Sequence, residues 1–333
     1  MRICVIGAGA IGGLLAAKLA HAGEEVSVIA RGAHLAAIAA DGLRLVEESG
    51  EIVAKLKACD RIADVGEQDL IVLGMKAHQV AAVAPDLGCI MGPRTAVLSA
   101  QNGVPWWYFF KHGGEHEGQR LESVDPGGVI ADNIEIDRVL ASVVYPAAEI
   151  ERPGVIRHIE GERFSLAEID GAKTERIAQV SAALTRAGFK APVVSDIRAE
   201  IWTKLWGNLS FNPISALTHA TLADICKFLP TRELAANMMR EAQAVGEALG
   251  VRFRISLDKR IAGTEAVGAH KTSMLQDVES GRAIEVEALL GSVIELARLA
   301  RIATPHLCAV YALVKLLGET LTREKGRLVV TPA

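Results

Sequence analysis

The first part of the chain alternates between short apolar runs and amphipathic stretches. Apolar runs at 3–6, 25–30, 70–76 and 96–100 each end at a glycine or a polar residue and predict buried strands. Between the first two runs, residues 14–20 predict a helix. Strands that alternate with helices predict a parallel sheet whose ligands bind at the carboxyl ends of the strands.

Weaker patterns fill the remainder of this region. A hairpin is predicted around Ser49-Gly50, between strands at 43–46 and 52–54. Further strands, expected to complete the sheet and to lie antiparallel at its edge, are predicted at 139–145, 154–159 and 163–167. An amphipathic helix is predicted at 174–187.

The pattern changes after residue 195, where the alternating strand signal ends. Helices are predicted at 197–211, 214–226, 231–249, 256–267, 284–302 and 306–319, with Pro213, Pro230 and Pro305 between them. We therefore expect an α/β domain of Rossmann type at 1–195, with a mostly parallel sheet and an antiparallel edge. An all-α domain is expected at 196–333.

A glycine-rich turn follows the first predicted strand directly. Its spacing is G-x-G-x-x-G, and its residues are Gly7, Ala8, Gly9, Ala10, Ile11 and Gly12. The first glycine permits a tight turn, the second lets the backbone approach a pyrophosphate, and the third lets the helix pack on the strand. The N-terminus of the helix offers unpaired N–H groups to the phosphates. Because a predicted strand precedes this turn and a predicted helix follows it, the turn predicts a dinucleotide site.

Polar residues at the ends of three predicted strands refine that site. The second strand ends at Ala30-Arg31, without the carboxylate that usually binds the ribose 2′-hydroxyl of NAD, and Arg31 could pair with a 2′-phosphate. This favours NADP(H); the alternative is a solvated surface arginine. Lys76 and Asn102 end the next two strands and are candidates for the same edge. A snorkelling lysine and a turn-forming asparagine are the alternatives.

An aromatic run at 106–110 precedes a polar, glycine-rich stretch at 111–128 that is predicted to be a long loop. The run could be a lid over the substrate, a surface for a partner, or a small core beneath the loop. His112 and His116 lie in the loop, but no further ligands cluster nearby, so no metal site is expected.

The predicted helical domain carries a second set of candidates. Lys204, Asn208 and Asn212 are spaced i, i+4 and i+8 and share one helix face, which would suit the wall of a polar cleft or an ordinary solvated face. Ser273 and Glu285 are candidates for contact with substrate. Their alternatives are a turn cap for Ser273 and a response to a helix dipole for Glu285.

Charge and cysteine content exclude several classes of function. The net charge is −4 and the pI is about 6.2, so no global field attracts nucleic acid or anionic membranes. We find no apolar run long enough to span a bilayer and no signal peptide. The five cysteines are scattered, as is typical of reduced thiols in a cytoplasmic protein.

The chain resembles the ketopantoate reductases (2-dehydropantoate 2-reductases) over nearly its whole length. The motifs that carry the resemblance are GAGAIGG at 7–13, the strand ending in Lys76, QNG at 101–103, IWTKLWGNLSFNP at 201–213 and SMLQDVESGRAIEVEALLG at 273–291. The resemblance implies NADPH as the cofactor and a small 2-keto acid as the substrate, with ketopantoate as the leading candidate. It leaves the oligomeric state open, with a homodimer as one option.

The resemblance also implies roles for the candidates. Lys204 would be the catalytic lysine and Glu285 its partner carboxylate. Asn208, Asn212 and Ser273 would bind substrate, while Lys76 and Asn102 would lie near the cofactor and the reacting carbon, so that Asn102 would serve both.

One departure from the family pattern concerns the substrate. The region between QNG and Val139 is longer than is usual in the family. The substrate could therefore be a 2-keto acid other than ketopantoate. A hypothesis of another class is a non-catalytic NADP(H) sensor that presents its aromatic run to a partner.

Overall fold

The computed structural model describes residues 1–331. The chain divides into two compact units, Met1–Ile197 and a unit that begins at Arg198. In the first unit the described strands are β1 (Arg2–Ile6), β2 (Glu25–Ile29), β3 (Leu43–Glu47), β4 (Gly50–Ala54), β5 (Lys57–Cys59), β6 (Gln68–Leu73), β7 (Met91–Ser99), β8 (Val139–Val144), β9 (Ala147–Arg152), β10 (Val155–Glu160) and β11 (Phe164–Glu168). Its α-helices are α1 (Ala10–His21), α2 (Gly32–Asp41), α3 (Val129–Asn133) and α4 (Glu175–Arg186).

The main sheet has the strand order of a Rossmann fold. Seven strands lie in the order β5-β2-β1-β6-β7-β8-β11. All neighbours pair in parallel except β11, which runs antiparallel to β8 at the edge. The predicted fold class is confirmed, and the chain order reverses between β1 and β6, where such sheets bind ligands.

A second sheet of four strands, in the order β4-β3-β10-β9, was not predicted. The hairpin of β3 and β4 is confirmed, but the strand at 154–159 does not complete the main sheet: as β10 it pairs in parallel with β3. Strand β9 was missed. The strand at 139–145 lies in the main sheet as β8, parallel to β7, and the expected antiparallel edge forms where β8 pairs with β11.

The reason for the second sheet lies in α1. Five consecutive or near-consecutive positions of this helix are buried, namely Leu14, Leu15, Ala16, Ala17 and Leu19. A helix that is apolar on all sides must be covered on all sides. The second sheet supplies that cover, because a Cβ at Gly13 of α1 would lie 2.7 Å from Cγ1 of Ile156 on β10.

The second unit is helical in its described part. Its elements are α5 (Ile197–Thr218), α6 (Leu222–Lys227), α7 (Leu229–Ala248), α8 (Leu257–Ala266), α9 (Ser273–Ser280), a π-helical turn (Glu287–Gly291), α10 (Ser292–Leu299) and α11 (Pro305–Glu324). Helix α9 was not predicted, and the single helix expected at 284–302 is the π-helical turn followed by α10.

Helix α5 continues through Pro213, where a break was expected. A proline inside a helix removes one backbone hydrogen bond and costs about 3 kcal/mol. Burial offsets this cost, because Trp202, Trp206 and Leu209 are fully buried. The Nε1 of Trp206 also donates to the carbonyl of Met239 on α7 at 2.6 Å, which anchors α5 independently of the proline. Tertiary contacts therefore override the local signal.

Candidate active site

The glycine turn joins β1 to α1 with little free space on its inner side. Gly7 has φ +93°, and a Cβ there would lie 3.0 Å from Cβ of Met75. A Cβ at Gly12 would lie 2.0 Å from the carbonyl oxygen of Gly7, so only glycine lets α1 approach the turn this closely. These contacts assign Gly7 and Gly12 the packing roles that the motif predicts.

Gly9 differs from Gly7 and Gly12, the other two glycines of the motif, in the space around it. A Cβ built at Gly9 meets nothing within 4 Å, so the second glycine of the motif faces open space. Gly9 is also the residue that precedes α1, and glycine has no side chain to cap the first N–H groups of a helix. An open face beside helix N–H groups fits a pyrophosphate.

Lys76 and Asn102 follow β6 and β7, which lie next to each other in the sheet beside β1. Because these strands are parallel, both residues lie at the sheet edge that carries the glycine turn, as predicted. Gln101, which was not singled out, fixes this edge: its Nε2 donates to the carbonyl of Leu73 at 2.6 Å, and its Oε1 accepts from Oγ of Ser99 at 2.9 Å. The QNG motif at 101–103 was the feature of the sequence that could have identified Gln101.

Arg31 lies two residues after the end of β2 and immediately before α2 begins. Its side chain is exposed. The position matches the one that distinguishes the two nicotinamide cofactors in Rossmann folds, at the end of the second strand.

The described helical unit places three of its five candidates on one continuous helix. Lys204, Asn208 and Asn212 all lie on α5, before Pro213, with the regular i, i+4 and i+8 spacing of one helix face. Asn212 is buried, and its Nδ2 lies 3.4 Å from Oγ of Ser273 on α9. The cap of α9 is Thr272, whose side chain accepts from the N–H of Leu275. The alternative that Ser273 caps the turn is therefore wrong, and its hydroxyl faces the asparagine instead.

Lys204 and Glu285 form a second pair within this unit. Burial lowers the pKa of Lys204 to about 8, and the negative charge of Glu285 opposes that shift. Glu285 lies two residues before the π-helical turn that begins at Glu287. This position is compatible with the alternative role predicted from the sequence, a favourable interaction with the helix dipole. In addition, the charge of Glu285 acts on Lys204.

The aromatic run forms a core, which was one of its three predicted roles. Trp106, Trp107, Tyr108 and Phe109 are all buried. The rings of His112 and His116 pack against Phe109, with centroids 5.4 and 5.2 Å away. Within residues 1–331 no group of three or more His, Cys, Asp and Glu side chains is placed to hold a metal ion.

Family models match both units of this chain. The model described as "Ketopantoate reductase PanE/ApbA" matches residues 3–171, and the one described as "Ketopantoate reductase PanE/ApbA C terminal" matches residues 196–318. The chain belongs to the ketopantoate reductase family. Enzymes of this family are NAD(P)-dependent oxidoreductases with a Rossmann-like fold.

Individual relatives extend over nearly the full length of the chain. A 2-dehydropantoate 2-reductase of Mesorhizobium japonicum is 54% identical over 319 residues, which are 96% of this chain and 98% of the relative. A crystal structure from Ralstonia solanacearum MolK2 superposes with a TM-score of 0.92 at 40% identity and covers 96% of this chain and 98% of that one. The 2-dehydropantoate 2-reductase of Methylococcus capsulatus gives a TM-score of 0.81 at 28% identity, covering 97% and 98%.

Among the described helices of this ketopantoate reductase family member, none combines the length and the apolar character needed to cross a membrane. All five cysteines are free thiols.

The contrast between Gly9 and Gly12 gives a first prediction. Gly9→Ala should leave the free energy of unfolding within about 0.5 kcal/mol of the parent, because its Cβ enters open space and its φ of −67° suits any residue. It should nevertheless weaken dinucleotide binding by roughly tenfold or more, since the methyl group occupies the face that a pyrophosphate needs. Urea unfolding and cofactor titration measure the two effects separately.

Gly12→Ala is the matched variant for that experiment. Its Cβ would collide with the Gly7 carbonyl, so we expect a loss of about 2 kcal/mol of stability. Equal loss of stability in both variants would contradict the assignment of Gly9 to a ligand face.

Proposed function

We propose that this protein reduces 2-dehydropantoate to pantoate with NADPH as the hydride donor. The observation that carries the proposal is the set of polar groups on the helical unit: Lys204 with Glu285, and Asn212 beside Ser273. The relative from Mesorhizobium japonicum, which is 54% identical, has the name of this activity. In this proposal the domain at 1–195 binds the cofactor, and the domain at 196–333 binds the substrate and donates the proton.

The residues that would hold the cofactor are all in the first unit: Gly7, Ala8, Gly9, Ala10, Ile11, Gly12, Arg31, Lys76 and Asn102. NADPH, when bound, supplies the hydride. The backbone of the turn and the start of α1 would bind the pyrophosphate, and Arg31 would bind the 2′-phosphate. Lys76 and Asn102 would lie towards the reacting end, because they follow β6 and β7 at the same sheet edge.

Lys204 is suited to the charge that develops during reduction. When hydride adds to the keto carbon, the C–O π bond breaks and negative charge develops on the oxygen. The ammonium of Lys204 stabilises that charge and gives its proton to the oxygen, which yields the alcohol. A pKa of about 8 suits a group that must be charged near neutral pH and yet release a proton. An arginine would not release one.

The other groups bind and orient the substrate. The amides of Asn208 and Asn212 and the hydroxyl of Ser273 offer hydrogen-bond donors to the carboxylate and the hydroxyl of 2-dehydropantoate. Glu285 favours the charged form of Lys204, because its carboxylate raises a pKa that burial lowers.

The proposal for the cofactor predicts a specific effect at Arg31. Arg31→Ala should raise the Kd for NADPH by roughly 10- to 100-fold, since one charge-assisted contact to the 2′-phosphate is lost. The Kd for NADH should change by less than about twofold, because NADH has no phosphate at that position. Fluorescence titration with the two cofactors measures the ratio, and Arg94→Ala, which removes an exposed arginine near the start of β7, is the control. An equal change for both cofactors would argue that Arg31 is a surface residue.

Steady-state oxidation of NADPH tests the activity directly. We expect turnover with 2-dehydropantoate, and a panel of 2-keto acids that differ in size and branching would establish whether it is the preferred one. If the folded protein binds NADPH but reduces none of the panel, the proposed reaction is wrong. A preference for another member of the panel would retain the chemistry and change the substrate, as the longer region after QNG allows.

The sensor hypothesis from the sequence has less support. It requires the aromatic run to be accessible to a partner, and four of its five side chains are buried.

A further inference from the structure

His34 joins two parts of the first unit that are distant in the chain. It lies in the first turn of α2, and its Nε2 is 2.7 Å from the carbonyl oxygen of Ala8 in the glycine turn. The N–H of Gly154 donates to its Nδ1 at 3.0 Å. A carbonyl oxygen can only accept, so Nε2 has the proton; Nδ1 accepts from an amide, so it has none. The ring is therefore neutral and held in one tautomer.

Packing around Gly154 keeps this arrangement in place. Gly154 has φ +79°, and a Cβ there would lie 2.8 Å from Cβ of Ala37 on α2. The turn between β9 and β10 thus lies against α2, which holds the donor N–H at His34. Burial lowers the pKa of His34, which also favours the neutral ring.

The bond from His34 fixes one peptide plane of the glycine turn. In the trans peptide between Ala8 and Gly9, the carbonyl and the N–H point in opposite directions. Holding the Ala8 carbonyl against the imidazole therefore directs the Gly9 N–H away from it. The N–H groups of Gly7 and Ala8 are already used, since both donate to the carbonyl of Ile29, at 3.0 and 3.3 Å. The next N–H along the turn is that of Gly9, the residue whose missing side chain leaves open space.

We propose that His34 is a positioning residue for the cofactor, which aims the Gly9 N–H at the pyrophosphate by holding the Ala8 carbonyl. The proposal rests on the dinucleotide site put forward above. It predicts that the effect of His34 is confined to ligands with a phosphate at the glycine turn. Ligands that need only Arg31 should be insensitive to it.

The test compares three substitutions in the full-length protein. His34→Leu removes donor and acceptor, while His34→Gln keeps one of each. His158→Leu is the matched control, because His158 is also partly buried and bonded through both ring nitrogens, to Glu47 and to the carbonyl of Gly161, away from the glycine turn. Kd values are measured for NADPH and for adenosine 2′-monophosphate, which has the 2′-phosphate but no pyrophosphate.

We expect His34→Leu to raise the Kd for NADPH roughly tenfold, the effect of one well-placed hydrogen bond. His34→Gln should recover most of that loss, and His158→Leu should change the Kd by less than twofold. The Kd for adenosine 2′-monophosphate should stay within twofold in all three. If His34→Leu does not fold, His34→Asn, whose shorter amide cannot span both partners, replaces it.

Three outcomes would overturn the proposal. An unchanged NADPH affinity in His34→Leu would show that the Ala8 bond does not position the turn. An equal loss for both ligands would show that His34 only holds α2 in place. Failure of the parent protein to bind NADPH would instead refute the dinucleotide site, and with it the role of His34.

Discussion

Replacing Lys204 with alanine is expected to lower kcat for keto-acid reduction by about 10³-fold, or roughly 4 kcal/mol in the activation barrier. The variant loses both the positive charge that stabilises the developing alkoxide and the proton that neutralises it. The KM for NADPH should change little, because the residues proposed to hold the cofactor are in the other unit. Steady-state kinetics with both substrates varied would measure kcat and the two KM values.

Two further variants separate charge from proton transfer. Lys204→Arg keeps the charge but has no proton to give near neutral pH, so its kcat should stay far below that of the parent. Lys227→Ala removes an exposed lysine at the end of α6 and should leave kcat unchanged. A Lys204→Ala enzyme that retains more than a tenth of the parent kcat would exclude Lys204 as the proton donor.

The parts of the fold that were predicted correctly have strong local signals. The glycine turn is one, since its residues, the strand before it and the helix after it are contiguous. The partners of β10 were predicted wrongly because strand pairing is a long-range property: Val155 pairs with Arg44, and nothing local distinguishes β3 from an edge of the main sheet. The all-round apolar character of α1 was the available sign of a second layer over it.

In the helical unit, too, the sequence predicted local features of the candidate site but not its long-range contacts. Periodicity placed Lys204, Asn208 and Asn212 on one helix face, although a break at Pro213 was expected immediately after them. The proximity of Asn212 and Ser273, which are 61 residues apart in sequence, could not follow from periodicity. Neither could the charge of Glu285 acting on Lys204. These two interactions depend on how the helices pack against each other. The sequence could therefore indicate them only through its resemblance to a family.

The carboxylate of Glu285 should control the pH dependence of the reaction. In the parent protein, reduction requires charged Lys204, so kcat should fall as the pH rises through the Lys204 pKa of about 8. Glu285 raises that pKa against the effect of burial. Glu285→Gln keeps the shape of the side chain and removes its charge, so the descending limb of the profile should move to lower pH.

At pH 8 we expect kcat of Glu285→Gln to be about 100-fold below the parent, because less of Lys204 is charged and the ammonium is held less firmly. At pH 6 the difference should shrink, since protonation restores the charge but not the orientation. Glu287→Gln is the matched control: it lies two residues further on, and its carboxylate accepts from Tyr311 at 3.1 Å and pairs with Lys315. Its profile should keep the parent limb. If Glu285→Gln also keeps that limb while its kcat falls, the carboxylate acts on the substrate or on folding, and Lys204 is charged without its help.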